Sequence, residues 1–434
     1  MNVCWGAKVD NEFLAAAMKC CMNLGWRLDT HQNALLACIA FESAGTFSPS
    51  VENPVSKACV SYDTEILTID GWKDGRSIKP GDAIYALDVE SDSIVRDVVL
   101  AKVEKESENV WRSESRSFEA VSTGDHGWWL QRRQYNKGRN YGNSWYVRKT
   151  TEDLVSLKNA SHHSIPLHGK GFKRARALDD FRLSEENALF VLAGLVAGDG
   201  TIMPETKHVE VSASLKGNAG EVALVSECNR LLGIDSEPRV MCESTLRWRY
   251  HGAANQLIRD MFSTKVKAGH KCLVKQLSRD LVRLLTPLQA EAVLYGYMMS
   301  DGCFGTTNNT ASFTNTEEDV LDDFMHVAFL AGYVPRMGAW RPPSTRFGYN
   351  CKPFGTVWLR DSRHIHCNHG DLRHEKVSGK VPVWCVQTGT GTWIARLNGC
   401  VYVTSNCGLI QFMPSTATAL GTSSAALKAM TAVQ

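Results

Sequence analysis

The chain has 434 residues, 44% hydrophobic and 22% charged, with a formal net charge of +2, which is ordinary globular composition with length for two to four domains. Its 14 cysteines follow no repeated spacing, which excludes a small disulfide scaffold and leads us to expect reduced thiols in a cytoplasmic synthesis product. The apolar run 33–41 is too short to span a bilayer and no signal-peptide pattern opens the chain, so no membrane role is expected.

Asp10 to Trp26 sets Phe13, Leu14, Ala17, Met18 and Cys21 at helical spacing, and His31 to Phe41 repeats the pattern after Asp29 and Thr30. Two helices are expected. Glu42 follows the second, where a carboxyl leaving a hydrophobic wall suits a general acid; a solvated helix-end Glu is the plainer alternative. Phe41-Glu42-Ser43-Ala44-Gly45, with Phe47-Ser48-Pro49-Ser50 and Asn53-Pro54-Val55-Ser56, resembles the catalytic-Glu region of phage tail-associated lysozymes and lytic transglycosylases. That family continues a few residues on with Gly-Leu-Ile-Gln-Phe-Met-Pro, which stands here only at Gly408 to Pro414, some 350 residues later. Joining Ala58 to Cys407 restores the family's spacing. The joined host would have 86 residues, short for such a domain and marginal for a fold; the resemblance implies peptidoglycan as its partner and a spliced product associated with the virion.

The interruption runs from Cys59 to Asn406, 348 residues. Cys59-Val60-Ser61-Tyr62-Asp63-Thr64-Glu65-Ile66-Leu67-Thr68, a turn at Asp70-Gly71, and alternating apolar residues in Asp82 to Val89 and Ile94 to Val103 read as short strands. Alone, a cysteine such as Cys59 is more often a small buried hydrophobe; its position at the break in the host motif reverses that preference. Thr123-Gly124-Asp125-His126 follows, then Trp128 and Trp129. A His with a hydroxyl partner is what amide cleavage needs, because an amide is a poor acyl donor until its nitrogen is protonated or its plane twisted; packing of His126 against the tryptophans is the alternative. The far end supplies Val381 to Cys385, Thr392 to Ala395 and Val401 to Thr404. An Asn can close its amide nitrogen onto its own carbonyl and cut the chain, and the Cys407 beside Asn406 is a ready nucleophile.

These stretches together resemble the blocks of an intein, the self-splicing Hint fold. Ser405 stands where most inteins carry a histidine before the terminal Asn, and Trp128, Cys385 and Thr404 match a Trp/Cys/Thr signature of the class 3 inteins common in phages. The resemblance implies two routes: Cys385 attacks the Ala58 carbonyl directly, or Cys59 begins by an N-to-S acyl shift. The first is favoured, because three matching positions are spatially demanding. His364-Ile365-His366-Cys367-Asn368-His369, with His374, matches no zinc-finger spacing; a His there is a candidate for assisting Asn406 in place of the missing one.

Between these blocks, Arg132 to Arg176 holds 11 Lys/Arg against Glu152 and Asp153, and Arg132 to Lys149 interleaves Tyr135, Tyr141, Trp145 and Tyr146, which suits an arm on phosphates or a solvated basic loop. Phe190 to Gly200 and Leu294 to Gly302 place Asp199 and Asp301 102 residues apart. Gly194 with Gly198, and Gly296 with Ser300, are four apart, so each helix offers a groove of small residues to the other. The paired segments resemble the two motifs of a LAGLIDADG homing endonuclease. That implies Asp199 and Asp301 as catalytic acids and Mg²⁺ ligands, double-stranded DNA as partner, a monomer, and base reading by strands such as Arg247-Trp248-Arg249-Tyr250; two core helices capped by Asp-Gly turns remain the alternative.

The expected architecture is multidomain α+β: α-helical lysozyme-like host segments at 1–58 and 407–434, and an all-β Hint splicing domain at 59–165 and 362–406, split by an α/β LAGLIDADG endonuclease domain at 166–361. The competing readings are a cell-wall hydrolase with a non-splicing DNA-binding insertion, and an intein whose endonuclease has decayed into a structural insertion.

Overall fold

The computed structural model describes residues 58–405 apart from 137–138, 158–159, 204–207, 216–218, 267–272, 306–310, 347–348, 369 and 371. Glu42, Asn406 and Cys407 therefore lie outside the described residues, as do the lysozyme-like segments apart from Ala58. The rest is mixed α+β, with a β-rich region made of both ends of the described chain and an α/β region between them.

The β-rich region begins with β1 (Val60–Ser61), β2 (Glu65–Thr68), β3 (Gly71–Asp74), β4 (Ala83–Asp88), β5 (Ser93–Ser107), β6 (Val110–Ser115) and β7 (Phe118–Thr123). The long hairpin β8 (Gly127–Asn136) and β9 (Arg139–Thr150) follows, so the basic stretch expected as an arm or loop is a paired ribbon, with α1 (Thr151–Val155) and β10 (His163–Pro166) after it. The region resumes with β23 (His364–His366), β24 (Arg373–Val377), β25 (Val381–Thr388), β26 (Thr392–Leu397) and β27 (Cys400–Ser405). β26 and β27 are joined by Asn398-Gly399, both at positive φ (47° and 75°). Two left-handed residues in a two-residue loop give the turn whose twist matches a hairpin, and Asn-Gly tolerates it best.

The α/β region repeats one plan. Its first half runs α2 (Glu185–Asp199), β11 (Gly200–Ile202), β12 (Val209–Ser214), α3 (Ala219–Leu231), β13 (Arg239–Cys242), β14 (Thr245–Arg249). Then come α4 (Gly252–Arg259), β15 (Phe262–Lys265), β16 (Val274–Leu277) and α5 (Arg279–Leu284). The second half runs α6 (Pro287–Ser300), β17 (Gly302–Phe304), β18 (Ala311–Asn315), α7 (Glu318–Leu330), β19 (Pro335–Met337), a hairpin of β20 (Ser344–Arg346) and β21 (Tyr349–Cys351), and β22 (Gly355–Leu359). In space the strand orders are β11-β12-β14-β13 and β17-β18-β22-β19. Each half is thus a helix, two strands, a helix and two strands, with the last strand pair entering in reverse order.

α6 starts where Pro287 follows Thr286, whose hydroxyl accepts from the Gln289 N–H at 3.3 Å while the Gln289 side chain accepts from the Thr286 N–H at 3.0 Å. Such a reciprocal cap satisfies two donors that a helix start leaves open. α2 and α6 carry buried side chains along most of their length, as central helices must. The two regions share a sheet of 15 strands, because β19 pairs with β27 through Arg336 and Cys400. One hydrophobic core accordingly contains Leu67, Tyr85, Ile394 and Val401 of the β-rich region together with Leu195, Tyr297 and Phe324 of the α/β region. Among the described residues no helix is long and apolar enough to cross a membrane.

Candidate functional sites

The first candidate site is built by strand register. β1 lies between β25 and β7, with Val60 opposite Trp384 on one side and Ser122 on the other. Carrying the register back one residue sets Cys59 opposite Cys385 and beside Thr123. The Cys59 N–H donates to Thr123 Oγ1 at 2.9 Å, and the Cys59 carbonyl accepts from the Thr123 N–H at 2.9 Å. Ala58, whose carbonyl the splicing reading would cleave, is buried, as are both cysteines. The Cys385 thiol donates to the Val386 carbonyl at 3.5 Å.

Three residues after Thr123, the chain turns to the other junction. His126 Nε2 and Thr404 Oγ1 are 2.6 Å apart, and the Ser405 hydroxyl donates to the Gly127 carbonyl. Trp128 stands edge-on to His126 with centroids 5.1 Å apart, and its indole N–H donates to Thr151 Oγ1 at 2.9 Å. Burial, with a smaller contribution from the Arg148 charge, pushes the His126 pKa down to about 3, so the ring is neutral near pH 7. A neutral imidazole has one donor and one acceptor nitrogen. Nε2 is engaged by Thr404, and Nδ1 is buried with no hydrogen-bond partner among the described residues.

Thr123, His126, Trp128 and Thr404 thus meet around the ends of β7, β8 and β27, while Cys59 and Cys385 face each other across β1 and β25. Thr151 was not anticipated; one hydroxyl at a helix start carries no sequence signal. The histidine that reaches β27 is His126. His364 and His366 instead belong to β23, paired with β10, and His374 Nδ1 bonds Ser113 Oγ at 2.9 Å.

The second candidate site is built by helix contact. A Cβ on Gly194 would run into the Val293 carbonyl and stand 2.8 Å from Gly296 Cα, and one on Gly296 would run into the Val191 carbonyl and stand 2.9 Å from Gly194 Cα. Only hydrogen fits at both positions, which brings α2 and α6 into backbone contact and their C-terminal acids to one end. Burial first, then the Asp199 charge, pushes the Asp301 pKa up to about 6, and burial raises that of Asp199.

Two further residues enter this site that the sequence did not single out. Glu221, at the start of α3, is buried and hydrogen-bonds Asp199; burial and then the Asp199 charge push its pKa up to about 8. Lys275 on β16 donates to the Val196 carbonyl at 2.7 Å and the Gly198 carbonyl at 3.3 Å, and also to that of Gly200. It caps the end of α2 that presents Asp199. Neither lies near a motif, and only the tertiary fold identifies them. Among the described residues no three His, Cys, Asp or Glu side chains gather as a metal site.

The strand expected to read DNA is corrected in detail: Trp248 and Tyr250 are core residues. Arg247 and Arg249 occupy alternate positions, and both pair with the buried carboxylate of Glu210, at 3.3 Å and 2.5 Å.

No protein-family model and no curated protein sequence matches the chain. Among solved structures, mesophilic variants of the homing endonuclease I-DmoI match 41% of this chain and 89% of theirs, at 13% identity and a TM-score of 0.28. The class 3 split intein AceL NrdHF, a splice-inactive variant, matches 26% of this chain and 66% of its own, at 13% identity and a TM-score of 0.21. A bacterial intein-like domain from Clostridium thermocellum matches 25% of this chain and 66% of its own, at 17% identity and a TM-score of 0.19. These are distant likenesses of fold, each over part of the chain.

Proposed function

We propose that the chain is a self-splicing precursor in which residues 59–406 are an intein carrying a DNA endonuclease. The observation that carries this reading is the meeting, in one β-rich region, of Cys59, Thr123 and Cys385 with His126, Thr404 and Ser405, the His126 N–H donating to the Thr123 carbonyl at 3.0 Å. In the favoured sequence of steps the Cys385 sulfur attacks the Ala58 carbonyl carbon. The bond to the Cys59 nitrogen breaks, and that nitrogen leaves as an amine. The acyl group passes from Cys385 to Cys407, Asn406 cyclises to release the insert, and an S-to-N shift leaves an Ala58-Cys407 peptide bond. Thr123 holds the Cys59 backbone, and the neutral His126 supplies a proton-transfer group whose Nδ1 is left for the reacting amide.

For the inserted region we propose site-specific cleavage of double-stranded DNA at Asp199 and Asp301. Two carboxylates are hard oxygen donors that suit Mg²⁺, which when bound would activate water and neutralise charge on the phosphate. The chain's own part is to hold the two acids at one helix end, with Lys275 fixing the end of α2, and to offer the basic β8–β9 ribbon to the backbone. On that ribbon Arg132 lies over the Trp145 ring, 5.5 Å from its centroid.

Expression of the whole chain followed by mass measurement tests the first proposal. Splicing yields products of 348 and 86 residues, and an intact chain under reducing conditions overturns it. Cys385→Ala should abolish ligation while Cys59→Ala preserves it; the reverse would assign initiation to Cys59. Incubating the excised insert with Mg²⁺ and DNA of the uninterrupted host gene tests the second proposal, with uncut DNA as the overturning result.

A further inference from the structure

We propose that Cys59 and Cys385 form a reversible thiol–disulfide pair, closed by a small disulfide of the glutathione type, and that the closed form cannot begin splicing. The consequence for splicing rests on the proposed function; the bridge itself does not.

Backbone direction carries the geometry. A strand residue points its N–H and C=O to the same side, and at Cys59 both go to Thr123 on β7. On the β25 side Cys59 is therefore at a non-hydrogen-bonded position, opposite Cys385 by the register that pairs Val60 with Trp384 and Ser61 with Val383. Such positions bring opposed Cα atoms to about 4.5 Å, inside the roughly 4.4–6.8 Å window that a disulfide accepts. Directly opposed residues also project to the same face of the sheet. Both side chains are buried in one hydrophobic cluster with Val60, Trp128 and Trp384; Cys367 shares that cluster but comes from another segment, just after β23, and is not opposite either of them in the β1–β25 register. By contrast, Cys242 and Cys303 are exposed, Cys228 lies on α3 and Cys400 on β27.

The chemistry balances with one oxidant molecule. The thiolate of one cysteine attacks a sulfur of the small disulfide, forming a mixed disulfide and expelling one small thiol. The second cysteine attacks the protein sulfur of that mixed disulfide and expels the other. Two cysteine thiols are oxidised, and one disulfide is reduced to two thiols. Because both sulfurs that could attack the Ala58 carbonyl are consumed, the block holds whichever of them initiates. Burial makes the step slower than at Cys242 or Cys303, since the oxidant enters only when the end of β1 opens.

The test uses the full chain with Asn406→Ala and Cys407→Ala, which blocks ligation and release at residue 406 and leaves attack at Ala58 as the only splicing step. It is treated with oxidised glutathione, quenched with iodoacetamide and mapped by mass under non-reducing conditions. The expected result is a Cys59–Cys385 cross-linked peptide that dithiothreitol reopens, appearing after glutathione has reached Cys242 and Cys303. It should be absent when Cys385→Ser is added. Glutathione on Cys242 and Cys303 without the cross-link overturns the proposal, as does an equal yield of cross-link from the urea-unfolded chain. The unsubstituted chain, refolded from denaturant with the oxidant, should give less than a tenth of the spliced product obtained with dithiothreitol. A chain that cross-links but never splices when reduced would overturn the splicing function and leave the bridge standing.

Discussion

In the β-rich region Cys59, Thr123, Cys385 and Thr404 come from separate strands or their flanks, and hydrogen-bond register sets where they meet. In the α/β region Asp199 and Asp301 come from two helices, and the contact between Gly194 and Gly296 sets their placement. The two arrangements fail differently. A one-residue slip in a strand turns every side chain to the opposite face, whereas a close helix contact tolerates sliding poorly and added volume not at all. The regions are also tied together. Arg396 on β26 forks to both oxygens of Glu65 on β2, reaches Asp322 on α7, and lies 4.5 Å from the Trp72 ring centroid.

The largest effect is expected where volume is added to the helix contact. Gly296→Val would drive methyl groups into the Val191 carbonyl, and the upper end of overpacking costs, about 3 kcal/mol, is the expected loss in denaturant unfolding. The proposed DNA cleavage should vanish with it. A loss below about 1 kcal/mol would mean that α2 and α6 separate easily, and the contrast with register would lose its basis. Arg396→Met tests the tie. Removing one partner of a buried charge cluster costs roughly 3–5 kcal/mol, and because Glu65 and Asp322 are about one-third exposed (31% and 32%), the expected loss is somewhat under that range. Adding Glu65→Gln and Asp322→Asn should recover much of it; no recovery would show that packing on Trp72, rather than charge, is what Arg396 supplies.

Acid sharpens the comparison next. His126 in the β-rich region and His326 on α7 are fully buried, and burial first, then a neighbouring arginine, pushes each pKa down from 6.5 to about 3. With the folded value below the unfolded one, the stability each neutral ring secures is fully present above pH 6.5. It is lost as pH falls from there toward about 3, by up to about 1.4 kcal/mol per pH unit for each group. Unfolding measured between pH 7 and pH 4 should steepen accordingly, and His326→Phe should remove one share of the slope while leaving that of His126. An unchanged slope would show that His326 already finds a proton acceptor in the fold.

The two regions were also unequally legible in the sequence. Gly194, Gly296, Asp199 and Asp301 are readable because helix contact is encoded by residues four apart on one segment. The strands were readable as strands, and the resemblance brought Cys385 to the Ala58–Cys59 bond, but the register that sets Cys59 directly opposite Cys385 was not readable, since nothing in either segment specifies a register across more than 300 intervening residues. Glu221 and Lys275 reach the acid pair only through the fold of β12, α3 and β16. Trp248 and Tyr250 alternate with arginines, and period-2 alternation says that one face is buried without saying which partner covers it.

The smallest expected stability change falls at the end of β27. The Ser405 hydroxyl donates to the Gly127 carbonyl, between His126 and Trp128 in the chain, and Ser405→Ala should cost about 1 kcal/mol, the net worth of one hydrogen bond. Its effect on the proposed splicing should be larger than that figure suggests. Ser405 is the residue before Asn406, and its bond, with that of Thr404 to His126, fixes β27 against the start of β8. Asn cyclisation needs the side-chain amide held over its own carbonyl, and a loosened strand end loses that positioning. The expected outcome is slower release of the segment from residue 407 onward, with attack at Ala58 unaffected, because Cys385 and Cys59 are placed by β25 and β1. If Ser405→Ala slowed both ends equally, the junctions would be coupled through the shared sheet rather than served by separate strand ends.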